Sequence, residues 1–143
     1  MNHTTTTITV ETVVSVPVEK VWKAWTTPED ITQWNQASED WHTPHSTNDL
    51  RVGGKFTSRM EAKDGSAGFD FEGIYEEVIT QQRIVYSIAD GRKVKVTFST
   101  EAGGTKVTET FDAENVHSVD MQRTGWQAIL DSFKKHVEGK WRH

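Results

Sequence analysis

The sequence predicts a small α+β domain in which an antiparallel sheet is combined with one long C-terminal helix. Three observations lead to this class. Segments that are β-branched or alternate between apolar and polar residues recur along the middle of the chain, separated by Gly-containing turns. Helical spacing of apolar residues occurs shortly after the first strand and again near the C-terminus. The resulting order of strand, two short helices, strands and long helix is typical of α+β proteins.

The length and composition point to one domain, residues 1–143, that is stabilised by packing alone. Residues 1–7 are expected to be either disordered or the start of the first strand. The chain has no cysteine, which excludes disulfides and thiolate metal sites. Its net charge is −5, with Lys and Arg scattered among Asp and Glu, so we expect no nucleic-acid partner. Neither a signal peptide nor a membrane-spanning run is recognisable, and we expect a cytoplasmic protein without membrane insertion.

The N-terminal part is predicted as one strand followed by two short helices. Residues 5–16, TTTITVETVVSV, are rich in Thr and Val and form the strand, which Pro17 ends. A helix of about ten residues follows, because apolar residues then recur at helical steps, namely Val18, Val21, Trp22 and Trp25. Thr27 as the cap and Pro28 in the first turn begin a second helix, which ends near Trp34.

The central part is predicted as a meander of strands. Residues 35–49 are polar apart from Trp41 and are predicted as an irregular connection. After a turn at Gly53 and Gly54, turns at Asp64-Gly65, Asp90-Gly91 and Ala102-Gly103-Gly104 separate strands in KFTSRMEAK, GFDFEGIYEEVI, RIVYSI, RKVKVTFSTE and TKVTETFDAE. Together with the first strand they give a sheet of six or seven strands. Alternation assigns to one face Phe56, Ser58, Met60, Ala62, Phe69, Phe71, Gly73, Tyr75, Val94, Val96, Phe98, Val107 and Phe111.

Four charged residues of the strands are expected mainly on the opposite, outer face. Arg59, Asp70, Glu72 and Glu109 would form cross-strand charge pairs there, each contributing up to about 1 kcal/mol. A shift of one residue in register would exchange the two faces and would bury these groups as acids and bases.

The C-terminal stretch RTGWQAILDSFKKHVEGKW belongs to a helix predicted from about Ser118 to Glu138. Its apolar stripe consists of Trp126, Ile129, Leu130, Phe133, Val137 and Trp141. This helix is the element long enough to cover the inner face of the sheet. Since a twisted concave sheet and a straight helix fit each other incompletely, a cavity is expected between them. The alternative is that the six Trp and six Phe residues fill the interior themselves.

Four segments in this order carry a family resemblance: PVEKVWKAWTTPEDITQW, DLRVGGKF, FEGIYEEV and TGWQAILDSFKKHV. The chain resembles the START-like superfamily, also called the SRPBCC or Bet v 1-like helix-grip proteins. Within it, the sequence is most similar to the branch homologous to the C-terminal domain of the activator of Hsp90 ATPase. The resemblance extends from about Thr9 to Trp141. It implies a helix-grip fold, a curved antiparallel sheet wrapped around the long C-terminal helix, with a cavity between the sheet and the helices.

The resemblance also implies a range of functions. Members of the superfamily bind lipids, sterols, plant secondary metabolites or polyketides, and some are cyclases or aromatases. The eukaryotic activator binds the chaperone Hsp90. We expect no N-terminal domain and no long linker in this chain, so the two-domain architecture of that co-chaperone is not expected and an Hsp90-type partner is the weaker alternative.

The candidate site is the wall of the expected cavity. A pocket lined by aromatic side chains suits a small hydrophobic molecule such as a lipid, a polyketide or an aromatic metabolite. The candidate ligand-binding residues are Trp34, Trp41, His42, Phe56, Met60, Phe69, Phe71, Tyr75, Tyr86, Phe98, Phe111, Trp126, Leu130 and Phe133. His42 and His45 alone do not make a metal site in an irregular segment, because zinc needs three or four convergent ligands. We expect neither a metal nor another cofactor.

Three functional hypotheses remain open from the sequence. The first is binding of a small hydrophobic ligand by a monomer or homodimer. The second is a cyclase-like or hydrolase-like enzyme that uses the same cavity, with Tyr75, Tyr86, His42 or Arg59 as proton donor or oxyanion partner. The third is a protein-interaction module. A titratable group with a perturbed pKa inside the cavity would favour the enzyme, whereas a filled interior with an exposed apolar patch would favour the interaction module.

Overall fold

The computed structural model describes residues 6–88, 91–101 and 103–141, and it has the α+β helix-grip architecture. Seven antiparallel strands form one curled sheet that wraps around the long C-terminal helix. The strands are β1 (Thr7–Val14), β2 (Trp41–Asn48), β3 (Lys55–Ala62), β4 (Gly68–Ile79), β5 (Arg83–Ile88), β6 (Lys93–Glu101) and β7 (Gly104–Asp112). The helices are α1 (Val18–Thr26), α2 (Pro28–Trp34) and α3 (Val119–Trp141).

The sheet follows the order β1-β7-β6-β5-β4-β3-β2, so each strand after β2 pairs with the next one along the chain. β1 closes the far edge by pairing with β7 over its full length, from Thr7 opposite Asp112 to Val14 opposite Thr105. Consecutive strands need only short turns, as expected for an antiparallel meander. The turn between β3 and β4 has Gly65 at a φ of 78°, which supports the predicted Asp64-Gly65 hairpin.

The sequence-based prediction for residues 35–49 is wrong, because Trp41–Asn48 forms the edge strand β2. It pairs with β3, but the register shifts between His42 and His45. Pro44 lies within this irregularity, where the missing backbone N–H does not interrupt the ladder. An edge strand has one neighbour and is mostly polar, so it lacks the alternation by which a central strand is recognised.

The two short helices agree with their predicted positions, and Pro28 starts α2 as expected. Thr27 occupies the N-cap position, but its side chain makes no capping hydrogen bond. Parts of three predictions fall outside the described residues: the state of residues 1–5, the Asp90 half of one turn and Ala102 in another. The side chain of Trp141, predicted in the apolar stripe of α3, is also outside them.

One part of the core, which we call its closed end, lies where α1, α2 and the C-terminal half of α3 meet the sheet. Leu130, Phe133 and Val137 of α3 are completely buried there. Phe133 packs edge-on against Trp25 and Trp34, each at a ring-centroid distance of 4.9 Å. Side chains therefore fill the space under this half of α3.

No helix in the described part of the chain is long and apolar enough to cross a membrane.

Candidate functional site

A cavity of about 520 Å³ lies between the inner face of the sheet and the N-terminal half of α3. Its volume is within the range of pockets that hold small organic molecules. We call this space the inner cavity. Its apolar wall consists of Trp25, Ile31, Trp34, Phe56, Met60, Phe69, Phe71, Tyr75, Ile84, Tyr86, Ile88, Met121, Gly125, Trp126 and Ile129. The polar lining residues are Asn35, Ser46, Ser58, Arg92, Glu109, Glu114, His117 and Gln122.

Aromatic side chains from neighbouring strands form most of the wall and support one another. Phe56 of β3 lies edge-on to Tyr86 of β5, with ring centroids 4.7 Å apart. Phe71 of β4 approaches Trp126 of α3 edge-on at 6.2 Å, and so connects sheet and helix. Edge-to-face contacts of this kind fix the rings in place. The wall is therefore a pre-formed apolar surface that presents flat ring faces and edges.

The structure brings eight of the fourteen predicted site residues together around the inner cavity. They come from α2, from β3, β4 and β5, and from α3. These residues are Trp34, Phe56, Met60, Phe69, Phe71, Tyr75, Tyr86 and Trp126.

Six predicted site residues do not line the inner cavity, for two reasons. Phe98, Leu130 and Phe133 are packed in the closed end of the core, and Phe111 lies beneath the ring of Trp126. Trp41 and His42 lie on the edge strand β2, where His42 is 3.7 Å from the carboxylate of Glu61. Apolar periodicity identified the inward face of α3. It did not show that other side chains fill the space under one half of this face and leave a cavity under the other half.

Most of the residues predicted as proton donors or oxyanion partners already have hydrogen-bond or ion-pair partners within the protein. The hydroxyl group of Tyr75 donates a hydrogen bond of 2.5 Å to Oδ1 of Asn48, and Asn48 donates to the carbonyl oxygen of Thr26 at 2.7 Å. Burial raises the pKa of Tyr75, although the bond to Asn48 opposes this. Arg59 lies on the outer face and pairs with Glu61 at 2.9 Å and with Asp70 at 3.5 Å.

Tyr86 is the predicted polar candidate that remains directed at the cavity. Its hydroxyl group has no hydrogen bond to any residue that the structure describes. Burial, with smaller contributions from Glu109 and Tyr75, raises its pKa well above the usual value. Tyr86 is therefore a neutral hydroxyl group that can donate to a bound molecule or accept from it.

Glu109 corrects one sequence-based assignment, since it was expected on the outer face and is buried on the inner one. It lies between Val107 and Phe111 on β7, and strict alternation places all three on the same side. Only 4% of its surface is exposed, and it lines the inner cavity. Desolvation raises its pKa to about 8. The other strand charges lie outside as expected, for example Glu72, which pairs with Lys55 at 3.0 Å.

The mouth of the inner cavity lies near the start of α3. Phe69 and Met121 line the cavity and are nevertheless 48% and 61% exposed, so they lie at its opening. The segment before α3 is fixed by Gln122, whose side chain accepts from the backbone N–H of Glu114 at 2.8 Å and donates to the carbonyl oxygen of His117 at 3.0 Å. This segment forms one side of the opening in a defined position.

The described residues contain no group of three or more His, Cys, Asp or Glu side chains placed to hold a metal ion. Within this part of the chain, the cavity wall offers apolar contact together with hydroxyl, amide and ionisable groups, from Ser46, Ser58, Tyr75, Tyr86, Asn35, Gln122, Arg92, Glu109, Glu114 and His117.

Comparison with known proteins gives a consistent result. A family model described as activator of Hsp90 ATPase homolog 1-like protein matches residues 15–138. The solution structure of an AHSA1-like protein from Aeromonas hydrophila is similar, with 50% sequence identity, 94% coverage of both chains and a TM-score of 0.89. A solution structure from Cytophaga hutchinsonii has 48% identity, covers 95% of this chain and 94% of that chain, and has a TM-score of 0.81.

More distant structures share the fold. A crystal structure of a protein from Chromobacterium violaceum has 24% identity, a TM-score of 0.84 and coverage of 93% of this chain and 98% of that chain. A comparison with curated proteins finds no significant match.

Proposed function

Because this chain belongs to the family of activator of Hsp90 ATPase homolog 1-like proteins, within the START-like superfamily, we propose that it binds one small hydrophobic molecule in the inner cavity. The observation that carries this proposal is the aromatic-lined cavity of about 520 Å³ under the N-terminal half of α3. Burial of apolar ligand surface would supply affinity, at roughly 25 cal/mol per Å² before the costs of association.

The division of α3 into two halves supports this proposal. Phe133 and Val137 fill the space under the C-terminal half, whereas Gly125 presents no side chain to the cavity under the N-terminal half. A Cβ atom built at Gly125 would meet no atom within 4 Å other than those of the adjacent residues and the nearby backbone of its own helix. A core that served stability alone would be expected to fill this space, since an unfilled cavity is destabilising.

The experiment that tests the proposal is native mass spectrometry of freshly purified protein, followed by extraction with organic solvent. We expect one apolar molecule per chain, retained through purification or taken up from a panel of lipids and aromatic compounds. Protein in which Gly125 is replaced by Leu, purified in parallel, should carry none. A bare chain mass under all conditions would overturn the proposal.

A second candidate, a cyclase-like or hydrolase-like enzyme, is favoured by one observation. Glu109 lies inside the cavity with its pKa raised to about 8 by burial, and acid–base catalysts have pKa values near the working pH. If the protein is such an enzyme, turnover of an aromatic ester or polyketide should show a pH inflection near the pKa of Glu109. Turnover that is unchanged in Glu109→Gln would exclude Glu109 as the catalyst.

A further inference from the structure

The carboxyl group of Glu109 is surrounded by apolar residues of three strands. Its ladder neighbours are Val10 of β1 and Val96 of β6, and both are almost completely buried. Val107 and Phe111 lie on either side of it along β7. The side of this carboxyl group that is not packed against protein is the inner cavity.

Glu109 has no hydrogen bond or ion pair with any of the described residues. A buried polar group without a partner is costly, so such groups are usually satisfied or have a functional role. Because the fold would be more stable with an apolar residue here, the position of this carboxyl group indicates a role in contacting what enters the cavity.

The titratable groups that face the cavity from the surrounding elements do not neutralise Glu109. Tyr75 of β4 and Tyr86 of β5 are themselves kept neutral by burial. Arg92, before β6, extends to the carbonyl oxygen of Asp112 at 3.4 Å. The remaining two, Glu114 and His117, lie in the segment before α3 and contact each other, with Oε1 of Glu114 3.1 Å from Nδ1 of His117. Burial without a cationic partner favours the protonated form of Glu109 at neutral pH.

A protonated carboxyl group in an apolar cavity offers one O–H donor. A ligand oxygen that accepts this hydrogen bond would remove the penalty of the unsatisfied donor. An ionised ligand carboxylate would bring a second acidic group to the same place, and a purely apolar ligand would leave the donor unsatisfied. The matching ligand chemistry is an uncharged carbonyl oxygen on an apolar frame.

We propose that Glu109 is the polar recognition group of the inner cavity and donates a hydrogen bond to the carbonyl oxygen of an uncharged aromatic or polycyclic ketone, ester or lactone. This inference rests on the proposed ligand-binding function and adds a ligand class and a specificity-determining residue. Tyr86, the other cavity-facing hydroxyl group without a partner in the described part of the chain, is available as a second donor to the same ligand.

Three matched probes test this proposal by isothermal titration calorimetry: acetylanthracene, ethylanthracene and aminomethylanthracene, each substituted at the same ring position. The ring system fills the same volume in all three, so the difference in affinity reports the polar group. The unmodified protein should bind the acetyl probe about fivefold to tenfold more tightly than the ethyl probe, the effect of one buried hydrogen bond. This preference should be present about two pH units below the pKa of Glu109 and lost about two units above it, where the carboxylate cannot donate.

Two variants separate hydrogen bonding from charge and packing. Glu109→Gln keeps an N–H donor of similar size, so its preference for the acetyl probe should persist but become independent of pH. Glu109→Leu should bind the acetyl and ethyl probes with equal affinity. Glu101→Gln, an exposed position on β6, is the matched control and should behave as the unmodified protein. Near-ultraviolet circular dichroism establishes that each protein is folded at both pH values.

The outcomes distinguish failure of the proposed ligand binding from failure of the role assigned to Glu109. If the unmodified protein binds none of the three probes, the proposed function is overturned, and this inference with it. Tight binding of acetyl and ethyl probes with equal affinity would overturn only the role of Glu109. If the aminomethyl probe binds most tightly and Glu109→Gln abolishes its advantage, the site recognises a cation and the proposed ligand class is wrong.

Discussion

Trp126 stacks on Phe111 with ring centroids 3.9 Å apart and ring planes 14° from parallel. Phe111 is a completely buried residue of β7, and Trp126 belongs to α3 and lines the inner cavity. The stack therefore joins the sheet to the N-terminal half of the helix at the side of the cavity. It holds the helix above the sheet while leaving the neighbouring space unfilled.

The first prediction concerns this stack. Trp126→Leu should lower the free energy of unfolding by about 2 kcal/mol, because the ring contact is lost and the cavity grows. It should also weaken ligand binding about tenfold. Val137→Ala on the same helix, in the closed end of the core, should cost a similar stability without changing affinity. Urea unfolding and calorimetry measure both quantities, and equal effects of the two variants on affinity would contradict the account.

The second prediction is a pH dependence of stability caused by Glu109. Its pKa is about 8 in the folded protein, above the ordinary value of 4.5. Between these values the folded state keeps a proton that the unfolded state releases. Glu109 should therefore lower the free energy of unfolding by about 1.4 kcal/mol for each pH unit across this interval. The free energy of unfolding of Glu109→Gln should therefore increase relative to that of the unmodified protein as pH rises from 4.5 towards 8. Above pH 8 the difference should stay constant.

Urea unfolding at several pH values checks this trend. A difference in stability that is constant with pH would show that Glu109 is not kept protonated by folding. Glu101→Gln serves as the control and should leave the pH profile unchanged.

The third prediction concerns the only buried aspartate in the described part of the chain, Asp30 of α2. Its Oδ1 atom accepts hydrogen bonds from His136 at 2.9 Å and Lys140 at 2.8 Å, both on α3. Burial disfavours the ionised form, but the bonds from Lys140 and His136 outweigh this effect and lower the pKa of Asp30. The interaction should stabilise the fold above the ordinary pKa of 3.8 and be lost as pH falls through the lower pKa of the folded state.

Asp30→Asn should therefore lower the free energy of unfolding by about 2 kcal/mol at neutral pH. The loss is moderate because Lys140 is partly exposed and keeps some of its hydration. The loss should shrink below the ordinary pKa of aspartate. Asp131→Asn, an exposed change on α3, is the control. Guanidinium chloride unfolding along a pH series measures the effect, and a loss of equal size in acid would contradict the assigned charge interaction.

The fourth prediction tests the packing of the cavity wall at Gly73 of β4. A Cβ atom at this position would lie 2.4 Å from Cε2 of Phe56 and 2.9 Å from Cδ1 of Tyr86. Both rings line the cavity and are held by other aromatic residues, so they cannot move without disturbing the wall. Gly73→Ala should lower the free energy of unfolding by about 1 to 3 kcal/mol and alter ligand affinity. Thermal unfolding with calorimetry measures both, and an alanine variant that matches the unmodified protein in stability and affinity would contradict this description of the wall.

Much of the fold was predictable from the sequence because local signals agreed with it. The spacing of Trp22 and Trp25, together with Pro28, gave the two short helices, and the family resemblance is confirmed by the family model. β2 was missed because its pairing with β3 is a tertiary interaction that leaves no apolar alternation in an edge strand. The inward position of Glu109 could have been predicted, since it lies two residues from both Val107 and Phe111. It was missed because a charged residue was expected to face solvent.

The extent of the cavity could not be read from the sequence. Leu130 and Trp126 belong to the same apolar stripe of α3, yet only Trp126 lines the inner cavity. The difference arises because Trp25 and Trp34 occupy the space beside the C-terminal half of the helix. Such filling depends on side chains far apart in sequence, and periodicity records only which face is buried.

Binding in the inner cavity is tested by comparing the dissociation constant of acetylanthracene for Gly125→Leu with that for Gly139→Leu. Both glycines lie in α3, and a Cβ atom at either would meet nothing within 4 Å, but only Gly125 lines the inner cavity. Each change should favour the helix by up to about 1 kcal/mol. Gly139→Leu should bind acetylanthracene as the unmodified protein does, whereas Gly125→Leu should remain folded but not bind it. Equal binding by the two variants would place the ligand elsewhere and contradict the account.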